Sequence, residues 1–116
     1  MAAKPLHMPK FLFWNIGRNV SPKLVGDVAA ERDVDIVVLA ETGCDDSIFL
    51  DHLNDRTDRL YYGDQGNSQR LRIFTRFPVD AHSLVRDTPW AAMRHYRMPL
   101  GSEFLVVAVH LPSKEL

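Results

Sequence analysis

The sequence predicts an α/β fold of α+β character, one mixed sheet with two helices, on three observations. Two continuous apolar runs, residues 11–14 and 35–40, each close on a polar residue, Asn15 and Glu41, with one helix-length segment between them. A second helix-length stretch follows the second run. From Leu60 the period changes to short runs broken by Gly, Pro, Asn and Asp, which read as consecutive strands.

The first strand is expected over residues 10–14, because its aromatic and aliphatic side chains are continuous, as in a strand covered on both faces. A helix then starts at Ser21: serine is a good N-cap, Pro22 suits the first helical position, and Leu24, Val25, Val28 and Ala29 fall on one face. Residues 33–35 end it. The second strand, residues 36–40, is broken after Glu41 by Thr42-Gly43. The second helix is capped by Asp45 or Asp46, with Ile48, Phe49 and Leu53 packed inward, His52 facing solvent and residues 54–58 forming a polar exit. Further strands are expected at residues 60–62, 71–76, 81–85, 93–98 and 104–110. Pro78 and Pro99 mark boundaries, and Gly101-Ser102 makes a hairpin turn.

The 116 residues carry 14 basic against 15 acidic side chains and 46% hydrophobic residues, which fits one globular domain and excludes a strongly basic surface. Cys44 is the single cysteine, so it forms no internal disulfide, and it lies without a Cys or His at metal-ligand spacing. A reducing, cytoplasmic setting is the expectation. The amino terminus lacks the apolar core of a signal peptide, and no apolar run is long enough to span a bilayer, so no membrane partner is expected.

If the first two strands are parallel and joined by the helix, their C-terminal ends lie side by side, where open α/β sheets place ligands. Strands are about 4.8 Å apart, so Asn15 and Glu41 could share one hard cation. Asn15 is also a common turn former, and Glu41 could equally be a solvated carboxylate or a helix cap. Phe11, Phe13 and Trp14 read as core residues. In the strand at 93–98, Arg94 and Tyr96 share one face while His95 and Arg97 share the other, so one of the two arginines can point at a site.

Four segments in order, residues 11–17, 35–41, 72–79 and 105–113, resemble the amino-terminal half of the endonuclease/exonuclease/phosphatase family, which includes deoxyribonuclease I. The resemblance spans residues 10–113. It implies a deoxyribonuclease I-like sandwich of which residues 1–116 form about one half, and Mg²⁺-dependent hydrolysis of a phosphodiester or phosphomonoester, with Mn²⁺ as a possible substitute. It puts Asn15 and Glu41 in the metal shell, His110 close to the scissile phosphate, and Arg94 reaching toward that phosphate. An imidazole can take or give a proton at neutral pH, although His110 could also be a hydrogen-bonded residue at the sheet rim.

Departures from the family set the limits of that expectation. The later motifs, Gly-Asp-x-Asn and Ser-Asp-His, do not occur, and Ala40 stands where Gln commonly precedes the metal-binding Glu. The half-domain is therefore expected to be incomplete for catalysis, with nucleic acid as the favoured substrate. The alternative is a truncated, non-catalytic member that serves as an interaction or dimerisation module. In the nuclease branch of the family the region of residues 63–70 touches the nucleic-acid backbone, but with one arginine and no aromatic it reads rather as a plain surface loop. The family fold stacks one sheet from each half, so this half should expose an apolar sheet face that a second copy or the missing half would cover.

Overall fold

The computed structural model describes residues 8–17, 21–40, 45–55, 59–64, 70–79, 83–98 and 101–111. Strand β1 (Phe11–Asn15) runs parallel to β2 (Ile36–Ala40), with Asn15 opposite Ala40. Between them lies α1 (Pro22–Arg32), capped as its sequence demands: Ser21 Oγ accepts from the Lys23 amide at 3.2 Å. Asp33 ends α1 in the left-handed region at φ 52°, an uncommon place for a residue with a Cβ, and its amide donates to the Ala29 and Ala30 carbonyls. A hydrogen bond from Arg76 holds the Asp33 carboxyl below its ordinary pKa.

Helix α2 (Asp46–Asp55) packs on α1. The contact is close because residue 26 is glycine: a Cβ there would lie 2.5 Å from the His52 carbonyl oxygen. This approach rotates both helices from the expected faces. Val25, Gly26 and Ala29 make the buried stripe of α1, so Leu24 stays exposed, Ile48 likewise remains outside, and His52 is half-buried rather than solvated. Phe49 and Leu53 pack inward as expected.

The first sheet adds β3 (Tyr62–Gly63) and β4 (Leu71–Thr75) in the order β1-β2-β4-β3, with β4 antiparallel to β2. Asn54 pins the entry to β3, its Oδ1 accepting from the Tyr61 amide at 2.7 Å and its Nδ2 donating to the Tyr61 carbonyl at 3.2 Å. A second, antiparallel sheet follows: β5 (Leu84–Thr88), β6 (Ala91–Arg97) and β7 (Glu103–Val109). β5 runs past the expected end at residue 85 and β6 starts before the expected residue 93, because Thr88 Oγ1 accepts from the Trp90 amide at 3.2 Å and fixes the turn at residues 89–90, while residues 81–82 of the expected strand lie outside the described residues. The turn at Gly101 forms where expected, with φ 94° and the Met98 amide donating to the Ser102 carbonyl at 2.7 Å.

Alternation then sorts the core into two layers. Val37, Leu39 and Phe74 meet the helices through Val25, Ala29, Phe49 and Leu53, while Ile36, Val38, Ala40, Leu71 and Ile73 meet Ala92, Tyr96 and Ala108 of the second sheet. The expectation of one sheet with an uncovered inner face is thus corrected, since the β5-β6-β7 meander supplies the cover within the chain. Apolar surface stays open on the outer face of β7, where Leu105, Val107 and Val109 are 59%, 50% and 47% exposed, and on β1, where Phe11 and Phe13, expected in the core, are each 51% exposed because β1 is an edge strand. No described helix is long and apolar enough to cross a membrane.

Two buried tyrosines make opposite predictions. Tyr61 Oη donates to the Val34 carbonyl, whereas the Tyr96 hydroxyl, fully buried between Phe77 and Phe104, has no hydrogen-bond partner among the described residues. Tyr61→Phe should therefore cost about 1–2 kcal/mol and Tyr96→Phe should be neutral or stabilising by about 1 kcal/mol, read as shifts of the urea midpoint. Burial pushes both phenols up. Each stays neutral in the fold while the unfolded chain ionises near ~10, so stability present below that pH is lost above it, and either Phe variant should flatten the alkaline loss.

Candidate functional site

Parallel pairing of β1 with β2 brings the end of β1 beside Ala40, and the Ile16 amide donates to the Ala40 carbonyl at 3.1 Å. Glu41 follows Ala40 directly and lies outside the described residues, as does Cys44. Asn15, Phe11 and Phe13 point to the side of the first sheet that faces the second, by the pairing of Asn15 with Ala40 and Phe11 with Ile36. β7 delivers His110 to the same rim from 95 residues away: Asn15 Nδ2 lies 3.4 Å from His110 Nε2. If Asn15 donates, His110 is neutral with its proton on Nδ1, and a flipped carboxamide would instead accept from Nε2–H.

A column of flat groups is built on that histidine. The His110 amide donates to the Trp90 carbonyl at 2.7 Å, and the two rings stack at 6.2 Å between centroids with 10° between planes. Over the indole lies the Arg70 guanidinium, its Cζ 4.0 Å from the ring centroid. Arg70 is exposed and makes no ion pair among the described residues. His110 is buried, Trp90 half-buried and Asn15 exposed, so the column runs from the sandwich rim out to solvent. Residues 65–69 lie outside the described residues, and the two ends of that loop serve different structures, Asp64 a buried ion pair and Arg70 this column.

Arg94 is expected from the sequence to reach toward a phosphate, but its donors are committed inside the sandwich. Nε and Nη2 donate to the two oxygens of Asp64 at 2.9 and 2.7 Å, and Nη1 donates to Asp87 at 2.8 Å and to the Met93 carbonyl at 3.0 Å. Its side chain is 1% exposed. Burial opposes its charge, and the bonds to Asp64 and then Asp87 outweigh that, leaving its pKa raised. Arg94 sits three residues along β6 from Ala91, which pairs with Val109 beside His110, a separation of about 10 Å. It ties β6 to β5 and to the end of β3.

Chemically, the rim offers a neutral carboxamide, an imidazole able to exchange a proton, and an outward guanidinium with in-plane donors. Among the described residues no group of three His, Cys, Asp or Glu is placed to hold a metal ion. Sequence reasoning missed Trp90, Arg70, Asp64 and Asp87. An arginine beside a polar loop and a Pro-Trp pair at a turn were the available signals, but nothing in the sequence says that residues 70 and 90 meet.

Removing Arg94 should deprive two largely buried carboxylates, Asp64 and Asp87, of a charged partner. Arg94→Met is expected to destabilise the fold by about 3–5 kcal/mol, and Arg94→Lys to recover part of that because a point charge cannot match the bidentate bond to Asp64. Adding Asp64→Asn and Asp87→Asn to Arg94→Met should restore most of the loss, measured by chemical unfolding.

No protein-family model, curated protein or solved structure matches the chain.

Proposed function

We propose that the rim formed by Asn15 and His110 binds a phosphodiester together with a divalent cation, Mg²⁺ or Mn²⁺, and serves phosphoester hydrolysis of the endonuclease/exonuclease/phosphatase type, with nucleic acid as the substrate. The observation that carries this reading is the meeting of Asn15 with His110 at the C-terminal end of the β1/β2 parallel pair, immediately beside the residue that precedes Glu41. Parallel strand ends are where α/β sheets collect ligands.

The donor set suits a hydrated ion and little more. Asn15 can give one neutral oxygen and Glu41 one charged oxygen, which agrees with the habit of Mg²⁺ to keep several waters and to bind through one or two carboxylates plus substrate phosphate. His110 is the group within reach for proton transfer. Arg94 acts in this reading by holding β5 and β6 in place rather than by touching substrate. The sequence contains neither Gly-Asp-x-Asn nor Ser-Asp-His, so hydrolysis by these residues alone is expected to be slow or absent, and binding is the informative readout.

Mn²⁺ titrated into labelled protein should broaden the NMR signals of Asn15, Ala40 and His110 first. Glu41→Gln should weaken Mg²⁺ binding at least tenfold, and Asn15→Ala by less. Broadening elsewhere, or equal affinity in Glu41→Gln and wild type, would sink the reading.

A second reading, an interaction module, has one specific observation in its favour: the open apolar face of β7 at Leu105, Val107 and Val109. Under it the chain self-associates through that face or binds a separate partner. Sedimentation at micromolar concentration should then show a dimer that Val107→Lys dissociates, whereas a monomer that binds no hydrophobic dye would remove this reading.

A further inference from the structure

We infer that Arg70, Trp90 and His110 form a stacking column that receives an unpaired nucleobase on the outer plane of the Arg70 guanidinium, so that the rim takes a single-stranded rather than a base-paired phosphodiester. This rests on the phosphodiester reading above and adds the form of the substrate.

The geometry carries three points. First, the three groups are ordered from inside outward, His110 buried, Trp90 half-buried and Arg70 exposed, with the His110 and Trp90 rings near-parallel at 10° and 6.2 Å between centroids and Arg70 Cζ 4.0 Å over the indole. Second, Arg70 lies over one face of Trp90, so a ring arriving from that side meets the guanidinium before it meets the indole. Guanidinium planes accept bases by stacking, and stacking on an aromatic ring leaves the five N–H donors pointing outward in the plane, where a phosphate oxygen can meet them. Third, Arg70 has no carboxylate partner among the described residues, in contrast to Arg72, Arg76, Arg94 and Arg97, each paired with an acid. An exposed cation held over an aromatic ring, with no counter-charge among the described residues, is poised for an external anion.

A base stacked there must be free of its neighbours in a duplex, since a paired and stacked base offers no open face. One base on such a platform is worth about 1–3 kcal/mol, which is roughly 5- to 150-fold in affinity. A lipid phosphodiester would use the same guanidinium donors but gain nothing from the plane.

Trp90 reports its own occupancy. The chain has two tryptophans, and Trp14→Phe leaves Trp90 as the single fluorophore. In that background, with Mg²⁺ omitted, a short single-stranded oligothymidylate should change the Trp90 emission and bind at least tenfold more tightly than either an abasic sugar–phosphate strand of equal length or the corresponding duplex. Arg70→Ala should remove that preference for bases, and Arg70→Lys, which keeps the charge without the plane, should keep phosphate-dependent binding and lose the preference. Arg70 is exposed, so both variants are expected to fold as the parent does. Equal binding of the abasic and base-bearing strands, or a preference unchanged in Arg70→Ala, would overturn the column while leaving phosphodiester binding at Asn15 and His110 intact. Binding to anionic phosphatidylglycerol vesicles but to no strand would also overturn it. A protein that binds no strand, no inorganic phosphate and no vesicle, even when Mg²⁺ is restored, would remove both this inference and the reading beneath it.

Discussion

Strand β2 is sealed on both faces along its whole length, and each layer of the molecule leans on it. One face, Val37 and Leu39, needs the helices; the other, Ile36, Val38 and Ala40, needs the second sheet. Because β2 also pairs with β1 on one side and β4 on the other, its burial sets the positions of both neighbours. Its last residue, Ala40, faces Asn15 across the pair. The candidate site therefore stands on the most buried strand of the fold, which gives its exposed groups a rigid base.

Two kinds of charge are kept apart in this architecture. Arg94 is ion-paired with Asp64 and Asp87 inside the sandwich, and these pairs fix β5, β6 and the end of β3. Such a set adds little net stability over an apolar core of the same volume, but removing one member is costly because the others are left buried and charged. Arg70 is the opposite case, exposed and stacked on Trp90, so its charge is directed outward. Asp35 is a third arrangement: nearly fully buried, it accepts from the Lys10 amide at 2.8 Å and meets Arg59 at 3.5 Å, tying the start of β1 to the start of β2.

How far the site was legible follows from how local each signal was. Asn15 could be named because it closes an apolar strand, and a polar residue at such a boundary stands out in one dimension, whereas His110 was picked out by the resemblance of residues 105–113 to the family's strand that ends in histidine. That they touch could not, since 95 residues separate them and their contact depends on where the second sheet docks. Arg94 was visible as a charge on an otherwise mixed strand, but its partners lie 30 and 7 residues away, and they decide that it faces inward to carboxylates.

By itself the sequence determined the local elements: the Ser21 cap with Pro22 behind it, the continuous apolar run of β2, and the turn at Gly101 all rest on interactions within a few residues, so composition and spacing were enough. Only the tertiary structure decided how those pieces meet. The close approach of α1 to α2 at Gly26 turned Leu24 and Ile48 outward, the β5-β6-β7 sheet covered a face expected to be open, and the column of Arg70, Trp90 and His110 was assembled from three separate segments. Periodicity reports which side chains share a face of one element, but the partner of that face is chosen by packing among all of them, and that choice has no local signature.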